Sequence, residues 1–141
     1  MTTSAQRGFA ITELIVAASL VMVMVVLATS RWESRSANLQ LRYATLQVVS
    51  HLARARQTAE DLGTPLVVTF AASDTVFLVA RAGEPLEHIA IPEGVIVAAD
   101  ATITFSPLGA GEAPQTVTLK SPSGISRIQV SPSGMVSYVF P

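Results

Sequence analysis

The strongest hydrophobic pattern lies near the start of the chain, where residues 9–29 carry a single charged residue, Glu13. About 20 apolar residues are enough for a helix to cross the hydrocarbon core of a bilayer. Such a run can also belong to a secretory signal peptide, with Arg7 as its positive region and residues 28–30 as its cleavage site. A signal peptide usually has a shorter apolar core without a carboxylate. The pattern therefore predicts a transmembrane helix over residues 9–29.

A second helical pattern continues over residues 30–63. Residues 9–62 contain no Gly or Pro, so nothing in the run removes a backbone donor or loosens the helix. Gly63 and Pro65 then predict its end. A helix of this length would be roughly 80 Å long, so we expect it to project from the folded body. The apolar face that we expect to pack on the following domain consists of Trp32, Leu39, Tyr43, Leu46, Val49, Leu52 or Ala53, and Leu62.

Beyond Gly63 the chain consists of short β-rich runs separated by turn residues, and all eight prolines lie there. The tetrapeptide Ser-Pro-Ser-Gly at residues 121–124 recurs at residues 131–134 and predicts two similar turns around one strand. We expect an α+β fold, in which an antiparallel meander of six to eight strands over residues 64–141 packs on the C-terminal half of the helix. The predicted strands are residues 66–70, 75–81, 87–91, 95–98, 102–105, 115–120, 126–130 and 135–140.

Composition narrows the classes of function. The 141 residues favour one folded domain, and the absence of Cys excludes disulfides, thiolate zinc sites and cysteine nucleophiles. Half of the residues are hydrophobic and 13% are charged, which agrees with a chain partly surrounded by lipid or by other protein. The net charge is −1, and residues 57–141 carry three basic and eight acidic side chains. This balance argues against nucleic acid as a partner.

Enzymatic chemistry finds little support in the sequence. His51 and His88 are the two side chains that could act as a base at neutral pH, and no nucleophile elbow is present. The acidic side chains of the β-rich half lack the alternating spacing of a calcium loop. We therefore expect no catalytic residue and no cofactor, and the sequence leaves metal binding open without supporting it. Acidic residues dispersed through this half of the chain include Glu84, Glu87, Glu93 and Asp100.

Glu13 is the most informative residue, because a carboxylate in hydrocarbon is costly unless it is neutralised or paired. No Lys or Arg lies within reach on the same helix face. If the chain were cut after Gly8, the new amine of Phe9 would lie four residues away and could pair with Glu13 within one chain or between neighbouring chains. Alternatively, Glu13 lies at the membrane surface in the first helical turn and complements the helix dipole. Geometry alone leaves these alternatives open.

Residues 7–16 read Arg-Gly-Phe-Ala-Ile-Thr-Glu-Leu-Ile-Val and lead into the apolar helix. This segment resembles the class III leader of type IV pilins and type II secretion pseudopilins, in which Gly and Phe precede three further residues, Glu and an apolar stretch. The resemblance implies that residues 1–8 are a leader that prepilin peptidase removes between Gly8 and Phe9. It also implies that Phe9 is N-methylated and that Glu13 pairs with the Phe9 amine of an adjacent subunit during assembly.

Three later segments, residues 53–65, 105–109 and 128–134, are similar to the GspH/FimT branch of minor pseudopilins. The resemblance implies a pilin-like fold and a tip or initiating subunit of a type II secretion pseudopilus, or alternatively a minor pilin of a type IV pilus. The implied partners are other pseudopilins or pilins, the prepilin peptidase/N-methyltransferase, the inner-membrane assembly platform and membrane lipid. Some members of the pilus branch bind DNA through arginines after the last Gly, whereas Gly134 is followed here by Met-Val-Ser. DNA uptake is therefore not expected.

The expected location is the bacterial inner membrane, with one span and the C-terminal domain in the periplasm. The charges beside the span favour the reverse orientation, because Arg7 precedes it while Arg31, Arg35 and Arg42 follow it. The leader motif favours the periplasmic domain. A function of another class would be a membrane-tethered binding module or adhesin that does not polymerise.

Overall fold

The computed structural model of the chain describes residues 5–81 and 83–140. Within the helix, it describes the side chains of residues 11–27 and of residues 36–62. The side chains of Trp32 and of the neighbouring arginines at positions 31 and 35 therefore lie outside the described residues.

The chain forms two compact units, residues 1–35 and residues 36–141. Helix α1, Ala5–Leu62, contributes residues to both and has a length of 58 residues, which confirms the predicted uninterrupted helix. It ends where predicted, because Gly63 takes a left-handed conformation with a φ of 60°. The amide of Gly63 donates a hydrogen bond of 3.3 Å to the carbonyl of Glu60 and closes the last turn.

The described side chains of the first unit are exposed on all faces of α1. Every large apolar side chain between Ile11 and Leu27 is more than half exposed. The hydroxyl of Ser19 donates to the carbonyls of Ile15 and Val16 at 2.9 Å, so this polar group is satisfied within its own helix. The predicted span over residues 9–29 extends beyond the described side chains at both ends.

In the part of the chain that the structure describes, no helix has the length and apolar character needed to cross a membrane.

The second unit contains eight strands among its described residues, and each overlaps a predicted strand. The first and second form the predicted hairpin, in which Phe70 pairs with Phe77. The strands are β1 (Leu66–Phe70), β2 (Val76–Arg81), β3 (Glu84–Ala90), β4 (Ile96–Val97), β5 (Ala101–Phe105), β6 (Gln115–Ser121), β7 (Gly124–Val130) and β8 (Val136–Val139).

The strands form two four-stranded sheets rather than one continuous meander. The strand orders are β3-β2-β1-β5 and β4-β6-β7-β8, and all pairings are antiparallel. Strands β1 to β3 and β6 to β8 keep the expected meander, while β5 returns to pair with β1 and β4 pairs with β6. Alternation of apolar residues identifies the buried face of a strand but not its neighbour, so the division into two sheets was not predicted.

Seven residues of α1 form its buried face in the second unit. Several are alanines, whose small side chains allow the helix backbone to approach the sheets closely. Thr45 is fully buried, and its hydroxyl donates to the carbonyl of Leu41 at 2.7 Å, so it leaves no unsatisfied donor. The buried face consists of Leu41, Ala44, Thr45, Val48, Leu52, Ala55 and Ala59.

The apolar face predicted from the spacing was therefore largely wrong. Of its members, Leu52 is buried and Val49 is half-buried. The error arose because large side chains were given more weight than alanines, although alanine fits better where a helix lies directly on a sheet. The predicted members that are exposed instead are Leu39 (65%), Tyr43 (65%), Leu46 (48%) and Leu62 (47%).

The core between α1 and the sheets is built around aromatic rings. Phe70, Phe77 and Phe105 are each at most 1% exposed, and the rings of Phe70 and Phe77 stack with centroids 5.0 Å apart. Full burial of a side chain of this size contributes roughly 1.5–3 kcal/mol. The three rings therefore hold the first sheet against the helix.

Candidate functional site

The predicted processing and assembly residues lie in the first unit. Gly8 and Phe9 belong to α1, and the side chain of Phe9 lies outside the described residues. Glu13 lies one turn further along, and its exposed side chain is flanked by Ile11 and Leu14, which are 61% and 72% exposed. The ion pair found among the described residues does not involve Glu13. The structure thus gives an exposed carboxylate on an apolar helix, while cleavage, methylation and pairing stay predictions.

The second unit presents an apolar face of α1 that the sequence placed in the core. Leu39, Tyr43 and Leu46 follow one another at spacings of four and three residues, so they lie on one side of the helix. They lie away from the buried face that packs on the sheets. Contiguous apolar surface of this kind is typical of contact with protein or lipid. This outer helix face is therefore a candidate contact surface.

Strand β8 lies beside the same helix and runs in the opposite direction. The guanidinium of Arg42 lies 5.1 Å from the ring centroid of Phe140, and the ring of Tyr138 meets that of Phe140 edge-on at 5.1 Å. At the start of the strand, Nη1 of Arg56 lies 3.4 Å from the carbonyl oxygen of Gly134. A cation over an aromatic face is attracted to it by roughly 0.5–1 kcal/mol at an exposed site. The arginines thus fix both ends of β8 against α1.

The turns before β8 meet at a tight junction on α1. Arg56 and Glu60 form the predicted ion pair, with 3.1 Å between Nε and Oε1. Gly134 has a φ of 77°, and a Cβ there would overlap the carbonyl oxygen of Gly109. A Cβ at Gly109 would overlap the carboxylate of Glu60. The Glu60 side chain can move away, whereas the backbone at Gly109 cannot, so the close approach of the two turns requires a glycine at position 134.

The two Ser-Pro-Ser-Gly turns flank β7, as predicted, and share one hydrogen-bonding pattern. The hydroxyls of Ser121 and Ser123 lie 2.7 Å apart, and those of Ser131 and Ser133 lie 2.8 Å apart. A serine side chain that bonds within its own turn favours that turn over a continued strand. The two copies of this turn therefore define the two ends of β7.

Two grooves lie along β8. The first, which we call the helix-side groove, has a volume of about 480 Å³. It is lined by Val49, Ala53, Arg56, Gln57, Glu60, Asp61, Gly134, Met135 and Val136. The second, which we call the outer groove, has a volume of about 340 Å³ and lies at the other end of the strand. It is lined by Ile125, Arg127, Gln129, Val139 and Phe140.

The histidines lie apart from these grooves. The half-buried ring of His51 packs edge-on against Phe77, with centroids 5.8 Å apart, and His88 is exposed on β3. Among the described residues, no three His, Asp or Glu side chains come close enough together to hold a metal ion.

These features define the class of protein: a long helix with an apolar N-terminal part, whose C-terminal part packs on antiparallel sheets, is the pilin fold. Two crystal structures of the type IV minor pilin FimU of Pseudomonas aeruginosa (strain PAO1) are similar to the chain, with TM-scores of 0.53 and 0.54. Their sequence identities are 16% and 15%, over 72% and 70% of this chain and 88% and 92% of FimU. This similarity shows a shared fold.

The sequence comparison identifies the family. Residues 44–134, more than half of the chain, match the family described as type II transport protein GspH. The chain belongs to this GspH family, which confirms the resemblance stated from residues 53–65, 105–109 and 128–134. No curated protein sequence matches the chain.

Sequence reasoning missed the surfaces that surround β8 and the outer helix face. The outer helix face was visible as an apolar spacing but was assigned to the core. The grooves depend on the close approach of β8 to residues far away in the chain, such as Arg42 and Arg56. The uncharged run at residues 135–140 was the one available signal.

Proposed function

We propose that this chain is a minor pseudopilin of a type II secretion system, acting at the tip or in the initiation of the pseudopilus. Its leader, residues 1–8, would be removed before Phe9, and residues 9–29 would hold it in the inner membrane with the second unit in the periplasm. The observation that carries this proposal is the family match over residues 44–134, joined to the leader motif with Gly8, Phe9 and Glu13.

The proposed mechanism is assembly by exchange of lipid contacts for helix contacts. The apolar side chains of residues 11–27 are exposed around the whole helix, so neighbouring helices could replace lipid on any side of it. Glu13 would resist a wrong axial position, because a carboxylate in an apolar surrounding needs a cation. The methylated amine of Phe9 in an adjacent subunit would supply that cation and fix the register.

The second unit would take part through its exposed surfaces. The outer helix face, with Leu39, Tyr43 and Leu46, would contact neighbouring pseudopilins. Prepilin peptidase/N-methyltransferase would process the chain, and the inner-membrane assembly platform would add it to the filament. Neither step requires this chain to have a catalytic residue, to hold a cofactor or to bind nucleic acid.

Replacement of Glu13 tests the assembly mechanism. We expect Glu13→Ala to insert and to be cleaved normally but to enter filaments poorly, because it removes the partner of the Phe9 amine. Ser19→Ala is the matched control, since Ser19 lies on the same apolar segment and its hydroxyl bonds only to carbonyls of its own helix. Incorporation is measured by immunoblot of sheared filaments against membrane fractions. Normal incorporation of Glu13→Ala would contradict the mechanism.

A second candidate function is that of a minor pilin in a type IV pilus, which the similarity to FimU favours. Cross-linking in native membranes followed by mass spectrometry separates the two. Cross-links to pseudopilins of the secretion system support the first proposal, and cross-links to pilus subunits support the second. Absence of both kinds of partner would favour a membrane-tethered binding module that does not polymerise.

A further inference from the structure

The two sheets expose four edge strands, β3, β5, β4 and β8, and three of these are protected against pairing with another strand. Proteins protect such edges with charges, proline, bulges, short strands or covering loops. Strand β3 carries Glu84, Pro85 and Glu87, and its register shifts at a bulge between Val79 and Ala80 on β2. The β3 edge is therefore a poor template for pairing.

The edges of β4 and β5 are covered by neighbouring loops. The amide of Ser73 donates to the carbonyl of Val97 at 2.8 Å, so the turn between β1 and β2 occupies the edge of the two-residue strand β4. The amide of Glu112 donates to the carbonyl of Thr104 at 3.2 Å, and Phe105 forms a bridge with Gly111. Backbone groups of β4 and β5 thus already have partners within the chain.

Strand β8 is short, with four residues, but it lacks the charges, proline, bulge and covering loop that protect the other three edges. Residues 135–140 read Met-Val-Ser-Tyr-Val-Phe and contain neither charge nor proline. The amide of Ser131 donates to the carbonyl of Met135 at 2.9 Å, and bonding alternates along an antiparallel ladder. The backbone groups of Ser137 and Val139 therefore face β7, whereas those of Val136 and Tyr138 face away from it. Among the described residues, the backbone hydrogen bonds made outside the helix and the strand pairs do not use these outward groups.

The two grooves lie where side chains of an added strand would point. The helix-side groove reaches β8 at Val136, and the outer groove reaches it at Val139. Successive side chains of a strand point to opposite faces and rise about 3.3 Å per residue. Two side chains three positions apart on an added strand would therefore enter one groove each.

Charge indicates what the added strand would carry. The outer groove contains Arg127 and no acidic residue, and Arg42 lies nearby over the ring of Phe140. Neither arginine takes part in the ion pair found among the described residues. A carboxylate placed next to Val139 would lie in the outer groove, where Arg127 supplies a positive charge. The helix-side groove has both polar and apolar walls, and its apolar part consists of Val49, Ala53 and Val136. A side chain of the added strand next to Val136 would pack on this apolar part, so an apolar side chain fits there.

We propose that the open edge of β8 binds an extended segment of another polypeptide, which joins the sheet β4-β6-β7-β8 as a fifth strand. The segment would place an apolar side chain in the helix-side groove and, three positions away, an acidic side chain beside Arg127. Backbone hydrogen bonds to Val136 and Tyr138 would supply affinity, and the grooves would supply specificity. This binding mode does not depend on the assembly role proposed above.

A peptide of the proposed pattern tests the interaction with the full chain in detergent. The probe is a fluorescent nine-residue peptide in which Thr and Val alternate, with one Thr replaced by Asp three positions after a Val. The control peptide has Lys in place of Asp. We expect saturable binding of the Asp peptide, measured by fluorescence anisotropy, and about tenfold weaker binding of the Lys peptide. No binding of the Asp peptide, or equal affinities, would overturn the proposal.

Two pairs of measurements with protein variants locate the binding at β8. Tyr138→Pro removes an outward amide that β7 does not use, and Tyr138→Val removes the ring but keeps the amide. We expect about tenfold weaker binding for the proline variant and less than about threefold weaker binding for the valine variant.

Arg127→Glu, which leaves the backbone edge intact, should reverse the preference between the two peptides. Equal losses at Tyr138, or an unchanged preference with Arg127→Glu, would contradict binding at this edge.

Discussion

Gly134 shows how much of the second unit depends on single turn residues. Its left-handed backbone and the absence of a side chain let it lie directly against the carbonyl of Gly109, while its own carbonyl accepts from Arg56. The sequence predicted the turn, because Ser-Pro-Ser-Gly is a turn signal. It could not predict the contact, since Gly109 and Gly134 lie 25 positions apart and nothing in a local pattern pairs them.

Replacing Gly134 with Ala should therefore destabilise the fold more than the same replacement at Gly63. Both glycines have a positive φ, so backbone strain should lower the free energy of unfolding of both variants by about 1 kcal/mol. A Cβ at Gly63 meets open space, whereas one at Gly134 overlaps backbone, and we expect about 1–3 kcal/mol of additional loss there. Urea unfolding of each full-length variant in detergent measures the difference. Equal losses would show that the junction does not need a glycine.

At the level of elements, α1 presents two apolar faces, one buried against the sheets and one exposed. The absence of Gly and Pro over residues 9–62 predicted the helix, and Gly63 and Pro65 predicted its end. Spacing of apolar residues could not decide which face lies on the sheets. That choice depends on size as well as polarity, because Ala44, Ala55 and Ala59 allow a close approach that larger side chains would prevent. The positions of the strands were predicted from short β-rich segments between turn residues. The strand order was not predicted, since pairing is set by the way the sheets close around the helix.

We expect the same change, Leu to Ala, to have different effects on stability at the two faces. Leu52 is fully buried, so Leu52→Ala should lower the free energy of unfolding by about 2–5 kcal/mol. Leu46 is 48% exposed, so Leu46→Ala should change it by less than about 0.5 kcal/mol. Urea unfolding monitored by circular dichroism checks both values. A large loss at Leu46 with little change at Leu52 would mean that the predicted face, rather than the observed one, packs on the sheets.

At the level of the whole molecule, the chain joins an apolar helix with a carboxylate near its start to a domain whose surfaces are suited to protein contacts. Family and fold were recognisable from the sequence because leader, helix and turn phrases are local patterns. The outer helix face and the β8 edge were not recognisable as surfaces, since exposure depends on the packing of the complete domain. The proposed assembly as a minor pseudopilin would use the first part, and strand addition at β8 would give the second part a partner of its own.

Intact-mass analysis of the chain extracted from its native membrane tests whether cleavage and methylation produce the amine that is proposed to pair with Glu13. We expect a single species that begins at Phe9 and carries one additional methyl group, because only that species offers Glu13 a methylated amine in an adjacent subunit. In a host without prepilin peptidase, the same chain should begin at Met1. A native membrane form that begins at Met1, or one that begins at Arg31 as a cleaved signal peptide would leave it, would contradict the account.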